Sequence, residues 1–261
     1  MLVPIYAFPH ITTRFWPVVM RNLLVWKKLL VPSLLGNIAE PLITLVAFGY
    51  GVGSLIGSVE GIPYIEYLAS GTVAVSAALA ATFEALYSAY SRMAVQKTWD
   101  SILNAPIALD DIVFAEMLWA AMKALFSCAA ILVVIFLLGI SREPTMLLAL
   151  PVLALAGVTF ASIALVFNAV AKGYDFFTYY FTLVVTPMTF LSGVYFPIAQ
   201  MPEWLQAVAQ VLPLKAAVDL VRPLVLGNLP AAPLLPLLIL TGYACSGYYL
   251  ALVLTRRRFF R

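Results

Sequence analysis

The chain has 261 residues, of which 64% are hydrophobic and only 10% charged, with a formal net charge of +3. Soluble domains are about 45–50% apolar and about 25% charged, so this composition excludes a water-soluble fold and requires lipid over much of the exterior. In lipid the backbone must satisfy its own hydrogen bonds, which leaves helices or closed barrels. Uncharged runs such as 145–171 and 176–201 suit helical spans, not the alternating strands of a barrel. Lys and Arg sit near span borders and form no single patch, which argues against a nucleic-acid partner.

The expected fold is all-α and integral to the membrane, one transmembrane domain over 1–261. It has six transmembrane helices, an N-terminal amphipathic interfacial helix, and short re-entrant helices between the fifth and sixth spans. The N-terminus carries Pro4 and Pro9 and then a basic segment, and lacks the apolar core and cleavage site of a signal peptide. From Phe15, the residues Phe15, Trp16, Val19, Leu23, Trp26 and Leu30 fall within about 100° of one another at helical spacing. Arg14, Arg21 and Lys28 lie nearly opposite. Residues 11–30 therefore read as an interfacial helix with Trp anchors and basic residues toward headgroups; the alternative is a basic flank that only sets topology.

The spans are expected at 32–56, 64–90, 112–140, 145–171, 176–197 and within 231–255. Gly49, Gly53 and Gly57 make small-xxx-small steps in the first, a signal of close helix packing or a subunit contact. Between the second and third spans, 91–111 combines Arg92, Gln96, Lys97, Trp99 and Asp100 in a short helix. Asn104, Ala105 and Pro106 stop that helix, and Asp110 and Asp111 open the third span. An exposed Trp among charges suits a docking element, and a loop helix resting on headgroups is the alternative.

Glu40, Glu84, Glu116 and Lys123 are charges at membrane depth, where each costs several kcal/mol unless it faces protein, water or the interface. Glu116 and Lys123 share a helix face but lie about 10 Å apart, so each needs another partner, and Glu84 is the candidate for Lys123. Tyr87, Ser88 and Ser91 share the Glu84 face and line a polar path or pack on a neighbour. The roles of the four charges stay open between structural ion pairing and a part in passage or coupling.

The 198–230 segment is too polar for a span and too apolar for an ordinary loop. Pro202, Glu203 and Trp204 read as a helix start, Pro213 as the end of that piece, and Lys215, Asp219 and Arg222 as residues that pair along one face. Cys128 and Cys245 read as small buried hydrophobes. Tyr174, Tyr179, Tyr180, Tyr243, Tyr248 and Tyr249 offer aromatic faces of the kind common at membrane interfaces.

With a cytoplasmic N-terminus, that side receives Arg14, Arg21, Lys27, Lys28, Arg92, Lys97, Lys172, Arg256, Arg257, Arg258 and Arg261, and the opposite side Arg142, Lys215 and Arg222. That bias sets the orientation, and an even number of spans puts both termini in the cytoplasm. The sequence has no G-x-x-x-x-G-K-[ST], H-E-x-x-H or G-x-S-x-G, and its only histidine, His10, lies outside the spans. The chain is therefore expected to hydrolyse no ATP and to hold no cofactor or metal. An ion-coupled carrier with Glu84, Glu116 and Lys123 as its relay, and an intramembrane lipid-modifying enzyme, are the competing readings from the residues alone.

Six stretches carry a resemblance over nearly the whole chain. They are SLLGNIAEPLITLVAFGYGVG (33–53), YIEYLASGTVA (64–74), QKTWDSIL (96–103), DDIVFAEMLWAAMKA (110–124), GYDFFTYYFTLVVTPMTFLSGVYFP (173–197) and LPLKAAVDLVRPLVLG (212–227). Their order, and the pattern of Pro187, Leu191, Ser192, Gly193 and Pro197, resemble the type-2 ABC exporter permeases and, within them, the Nod-factor lipooligosaccharide export permeases. The resemblance implies a homodimer in the bacterial inner membrane on a separate ATPase dimer, which binds the ATP and Mg. The cargo it implies is a lipid-linked saccharide or similar amphiphile, with drug efflux by the same fold as the alternative. It also implies that 14–30 is a connecting helix, that Arg92, Gln96, Lys97, Trp99, Asp100 and Pro106 belong to an ATPase-coupling region, and that Pro187, Ser192, Gly193, Pro197, Lys215, Asp219 and Arg222 belong to an outer re-entrant gate.

Overall fold

Long apolar runs without water to bond their backbone form helices, and helices account for nearly all of the regular structure in the computed structural model, which describes residues 5–260. Pro4 and Arg261, both used in the sequence reading, lie outside the described residues. In chain order the helices are α1 (Phe15–Lys27), α2 (Leu30–Ile56), α3 (Tyr64–Val95), α4 (Thr98–Leu103), α5 (Leu109–Leu137) and α6 (Pro144–Val170). They continue with α7 (residues 175–190), α8 (Glu203–Gln210), α9 (Pro213–Val225) and α10 (Leu234–Phe260). A two-residue hairpin joins α2 to α3, with β1 (Ser58–Val59) antiparallel to β2 (Ile62–Pro63).

Among the described residues five helices, α2, α3, α5, α6 and α10, are long and apolar enough to cross a membrane. The expected count of six is therefore approximate, because the fifth expected span is the shorter α7. At 1.5 Å per residue α7 is about 24 Å long, less than the roughly 30 Å hydrocarbon core. It stops at Phe190, and the chain reverses at Gly193, whose φ of +76° suits glycine. At the other extreme α3 runs on to Val95 and α10 to Phe260. Arg92 thus belongs to α3 and not to the short helix that carries Trp99, and Arg256–Arg258 continue α10.

Helix α3 is the axis of the bundle, with 89% of its most apolar window buried. Small residues along 69–82 let its neighbours approach. Their hydroxyls return to the helix backbone: Ser70 donates to the Tyr67 carbonyl at 2.8 Å, Thr72 to Leu68 at 2.7 Å and Ser76 to Thr72 at 2.8 Å. Cys128 is buried beside Val73, but Cys245 is exposed on the outer surface of α10, contrary to the sequence reading. A thiol there faces the lipid-covered exterior and needs no burial to be apolar.

Helix α2 is peripheral. Gly49 and Gly53 lie against Ile65 and Tyr64 of the same chain, while Gly57 packs on nothing and ends the helix at φ +72°. The third glycine of the expected packing stripe is thus a terminator. At one end of the bundle the Tyr64 and Tyr67 hydroxyls donate to the Tyr195 and Gly193 carbonyls, and Ser141 and Thr145 donate to Val225 and Leu224 of α9. At the opposite end α1, α4, the start of α5 and the ends of α6 and α10 gather. There the His10 amide donates to Asp110, and Arg256 to the Ala7 carbonyl, so both ends of the described chain meet on this side.

Candidate functional site

Helix α1 turns its Val18, Val19 and Asn22 face onto α5. Phe15 meets Phe114 edge-on at 4.9 Å, and Trp26 stacks on Phe126 at 5.5 Å and meets Trp119 at 5.9 Å. Much of the apolar stripe expected to rest on lipid therefore rests on protein, although Trp16 stays exposed. Arg14 is bonded to the Pro106 carbonyl, which ties the start of α1 to the end of the α4 loop.

Inside this end of the bundle lies a network of four charges. Glu84 of α3 accepts from Arg92 at 2.9 Å, Trp119 Nε1 at 2.9 Å and Lys123 at 2.8 Å. Glu116 of α5 accepts from Arg92 Nε at 2.9 Å and Nη2 at 2.5 Å, from Trp99 Nε1 at 3.1 Å and from Asn22 Nδ2 at 3.4 Å. The expected Glu84–Lys123 pair is present, and Arg92 supplies the partner that Glu116 needed. The guanidinium forks between two carboxylates, a geometry that an ammonium does not reproduce. Two carboxylates and two cations leave the cluster neutral with its acceptors satisfied, which is what makes charge tolerable in an apolar bundle. Beside it, burial draws the Arg21 pKa down, Arg92 adds to that by repulsion, and Glu116 opposes it.

Trp99 is the main correction to the sequence reading. It is 1% exposed, its indole donates to Glu116 and its ring stacks on Phe259 at 6.0 Å. It is therefore no exposed docking anchor: the adjoining α3, α5 and α10 form a pocket that takes an amphipathic ring with its N–H satisfied. The solvent edge of this region is instead Gln96, Lys97, Asp100 and Pro106, all exposed. Lys97 turns the chain with φ +51° just before α4. Asp110 and Asp111 are buried, bonded to Arg256 and Thr12 respectively, and clamp the N-terminal segment.

Two cavities adjoin at Tyr87, Ser88 and Lys123. One, of about 460 Å³, runs between α2 and α3 past Asn37, Glu40, Ser76 and Phe83. The other, of about 510 Å³, runs under α1 past Arg21, Trp26, Gln96 and Tyr174. Ser91 lines the second as well, so the Glu84 face of α3 does border polar space. Glu40 is exposed and has no ion-pair partner among the described residues. Phe83, Tyr87 and Tyr174 form a ladder, the rings stacked at 5.6 and 6.0 Å.

At the other end, Ser192 is buried and donates to Thr189 at 2.7 Å, while the Gly193 carbonyl accepts from Tyr67 and from Arg222, each at 2.8 Å. Arg222 lies 3.8 Å from the Tyr67 ring centroid. Lys215 pairs with Asp219 as expected, but Arg222 leaves that row to hold the Gly193 turn against α3. Pro187 opens the last turns of α7 on an exposed face, and Pro197 is buried before the Ile198–Gln200 turn. Sequence reasoning missed Asn22, Trp119, Tyr67 and Phe259. Trp119 was within reach, since it lies three residues after Glu116 and four before Lys123 on one face; the others act across long sequence separations.

The family model for ABC-2 type transporters matches residues 13–226. Nodulation protein J of Rhizobium leguminosarum bv. trifolii is 44% identical over 255 residues, 98% of this chain and 97% of that protein. Nodulation protein J of Sinorhizobium fredii is 42% identical over 238 residues, 91% of each chain. The inner membrane transport permease YadH of Escherichia coli is 24% identical over 199 residues, 74% of each. The chain belongs to the ABC-2 type transporter family, as a permease subunit of an ABC exporter.

Proposed function

We propose that two copies of this chain sit on a separate pair of ATPase subunits in the bacterial inner membrane, with both termini cytoplasmic. ATP and Mg are bound by the partner, and the permease moves a lipooligosaccharide or a similar lipid-linked saccharide out of the inner leaflet. The observation that carries this reading is the joining of α4 to the charge network. Trp99 reaches Glu116, and through Arg92 and Glu84 that carboxylate is connected to Lys123 on the wall of both cavities. An ATPase that presses on the exposed edge of Gln96, Lys97 and Asp100 would thereby bias the groups that border the polar space. The cavities offer hydroxyls, carboxamides and stacked aromatic rings, which suits a saccharide headgroup. The similarity to proteins named for nodulation supports such a cargo.

Affinity purification of the tagged chain in mild detergent, with mass spectrometry and an ATPase assay of the eluate, tests the reading. A stoichiometric nucleotide-binding subunit that turns over ATP is expected. A lone, stable and inactive chain would sink it.

A further inference from the structure

The last turn of α10 touches three parts of the molecule at once. Phe259 stacks on Trp99 of α4, with planes 23° apart. Arg258, on the adjoining face, donates from Nη1 to the Asn168, Ala169 and Ala171 carbonyls at 3.1, 3.2 and 2.8 Å. These carbonyls lie at and just past the C-terminal end of α6, where a cation also meets the negative end of the helix dipole. The same guanidinium lies 5.6 Å from the Tyr90 ring centroid, and Tyr90 packs edge-on against Phe177 of α7 at 5.3 Å and against Tyr174 at 5.2 Å. Only residues 171–174 separate α6 from α7, and Ala171 is itself an Arg258 acceptor. The start of α7 is therefore tethered closely to the end of α10. Two residues before Arg258, the fully buried Arg256 is paired with Asp110 at 2.5 Å, which fixes the helix end to the start of α5.

We infer that Arg258 and Phe259 are positioning residues that carry a displacement of α4 to α7, a route distinct from the Glu84–Arg92–Glu116 network. The inference rests on the reading of α4 as the helix facing the ATPase. Phe259 follows Trp99 because the indole is held at both its ring and its N–H. Arg258 then moves α7 because three carbonyls and a ring must be left behind or taken along. Packed elements of this kind shift between discrete arrangements and do not stretch.

The test uses the full permease with its ATPase in lipid nanodiscs and a Cys245→Ser background. A spin label is placed on α4 by Ser101→Cys or, separately, on α7 by Tyr179→Cys, both exposed positions. Trapping the ATPase with ATP and vanadate is expected to change the spectra of both labels. In Phe259→Ala, and independently in Arg258→Ala, the α4 change should persist and the α7 change should vanish. Phe259→Trp and Arg258→Lys should restore it. An α7 change that survives in both alanine variants overturns the inference, as does loss of both changes together, which would mean that the residues merely hold the assembly. If the unsubstituted complex shows no change at either label, the ATP-driven reading itself falls and the inference with it.

Discussion

Helices α2 and α3 are nearly equal in hydropathy, 1.5 against 1.4, and similar in length, yet 11% of one and 89% of the other is buried in its most apolar window. Hydropathy reports that a segment leaves water; it does not report whether lipid or protein receives it, because a lipid tail is as apolar as a leucine. The distinction lies in side-chain size. Helix α3 presents Ala, Ser, Gly and Thr to its neighbours, whereas α2 carries Leu35, Ile43, Val46, Phe48, Tyr50 and Leu55 on exposed surface. The charges follow the same division. Glu84 and Arg92 of α3 are enclosed and paired, while Glu40 of α2 stands open at a cavity wall. The enclosed helix anchors the fold, and the open one leaves a face where the proposed second copy would sit.

The sharpest way to break this contrast is Arg92→Met, which leaves Glu84 and Glu116 buried without their shared cation. A loss of about 3–5 kcal/mol is expected, as for other broken buried pairs, read as a lowered Tm in detergent. Next, Ala77→Leu on α3, at a fully buried position, should cost about 1–3 kcal/mol by overpacking. Gly36→Leu on α2, where an added Cβ meets no atom within 4 Å, should leave monomer Tm unchanged; any loss of self-association measured by light scattering would then belong to the α2 face. Equal penalties from the two leucines would erase the distinction between the helices.

Tyr67→Phe removes one of the two donors to the Gly193 carbonyl while Arg222 keeps the other. The expected cost is about 0.5–1.5 kcal/mol, with faster protease cleavage within 198–212 than in the parent. The smallest effect belongs to Glu40→Gln. Because Glu40 has no ion-pair partner among the described residues, stability should stay within about 0.5 kcal/mol by thermal unfolding. A large fall in Tm would show that Glu40 has a partner in the bundle after all.

Much of the candidate site was legible in the chain because it obeys local spacing. Glu116 and Lys123 share one helix face, Lys215 and Asp219 are four apart, and the α8 start at Glu203 follows from Pro202. Arg222 was misassigned because its partners Tyr67 and Gly193 are far away in sequence, and spacing along a helix carries no information about them. Trp99 failed for a related reason: an indole among charges looks like surface until Glu116 and Phe259 are brought to it. The fifth span was overextended because composition continues through Gly193 although the backbone does not.

The sequence alone determined that the chain lies in lipid, that it is helical, and which stretches are candidate spans, because these depend on composition and on the lack of water for the backbone. Its long family motifs determined the kind of transporter. The tertiary structure decided which span is central, which charges are paired and which tryptophan is buried, because those outcomes depend on groups separated by tens to hundreds of residues that only packing brings within bonding distance.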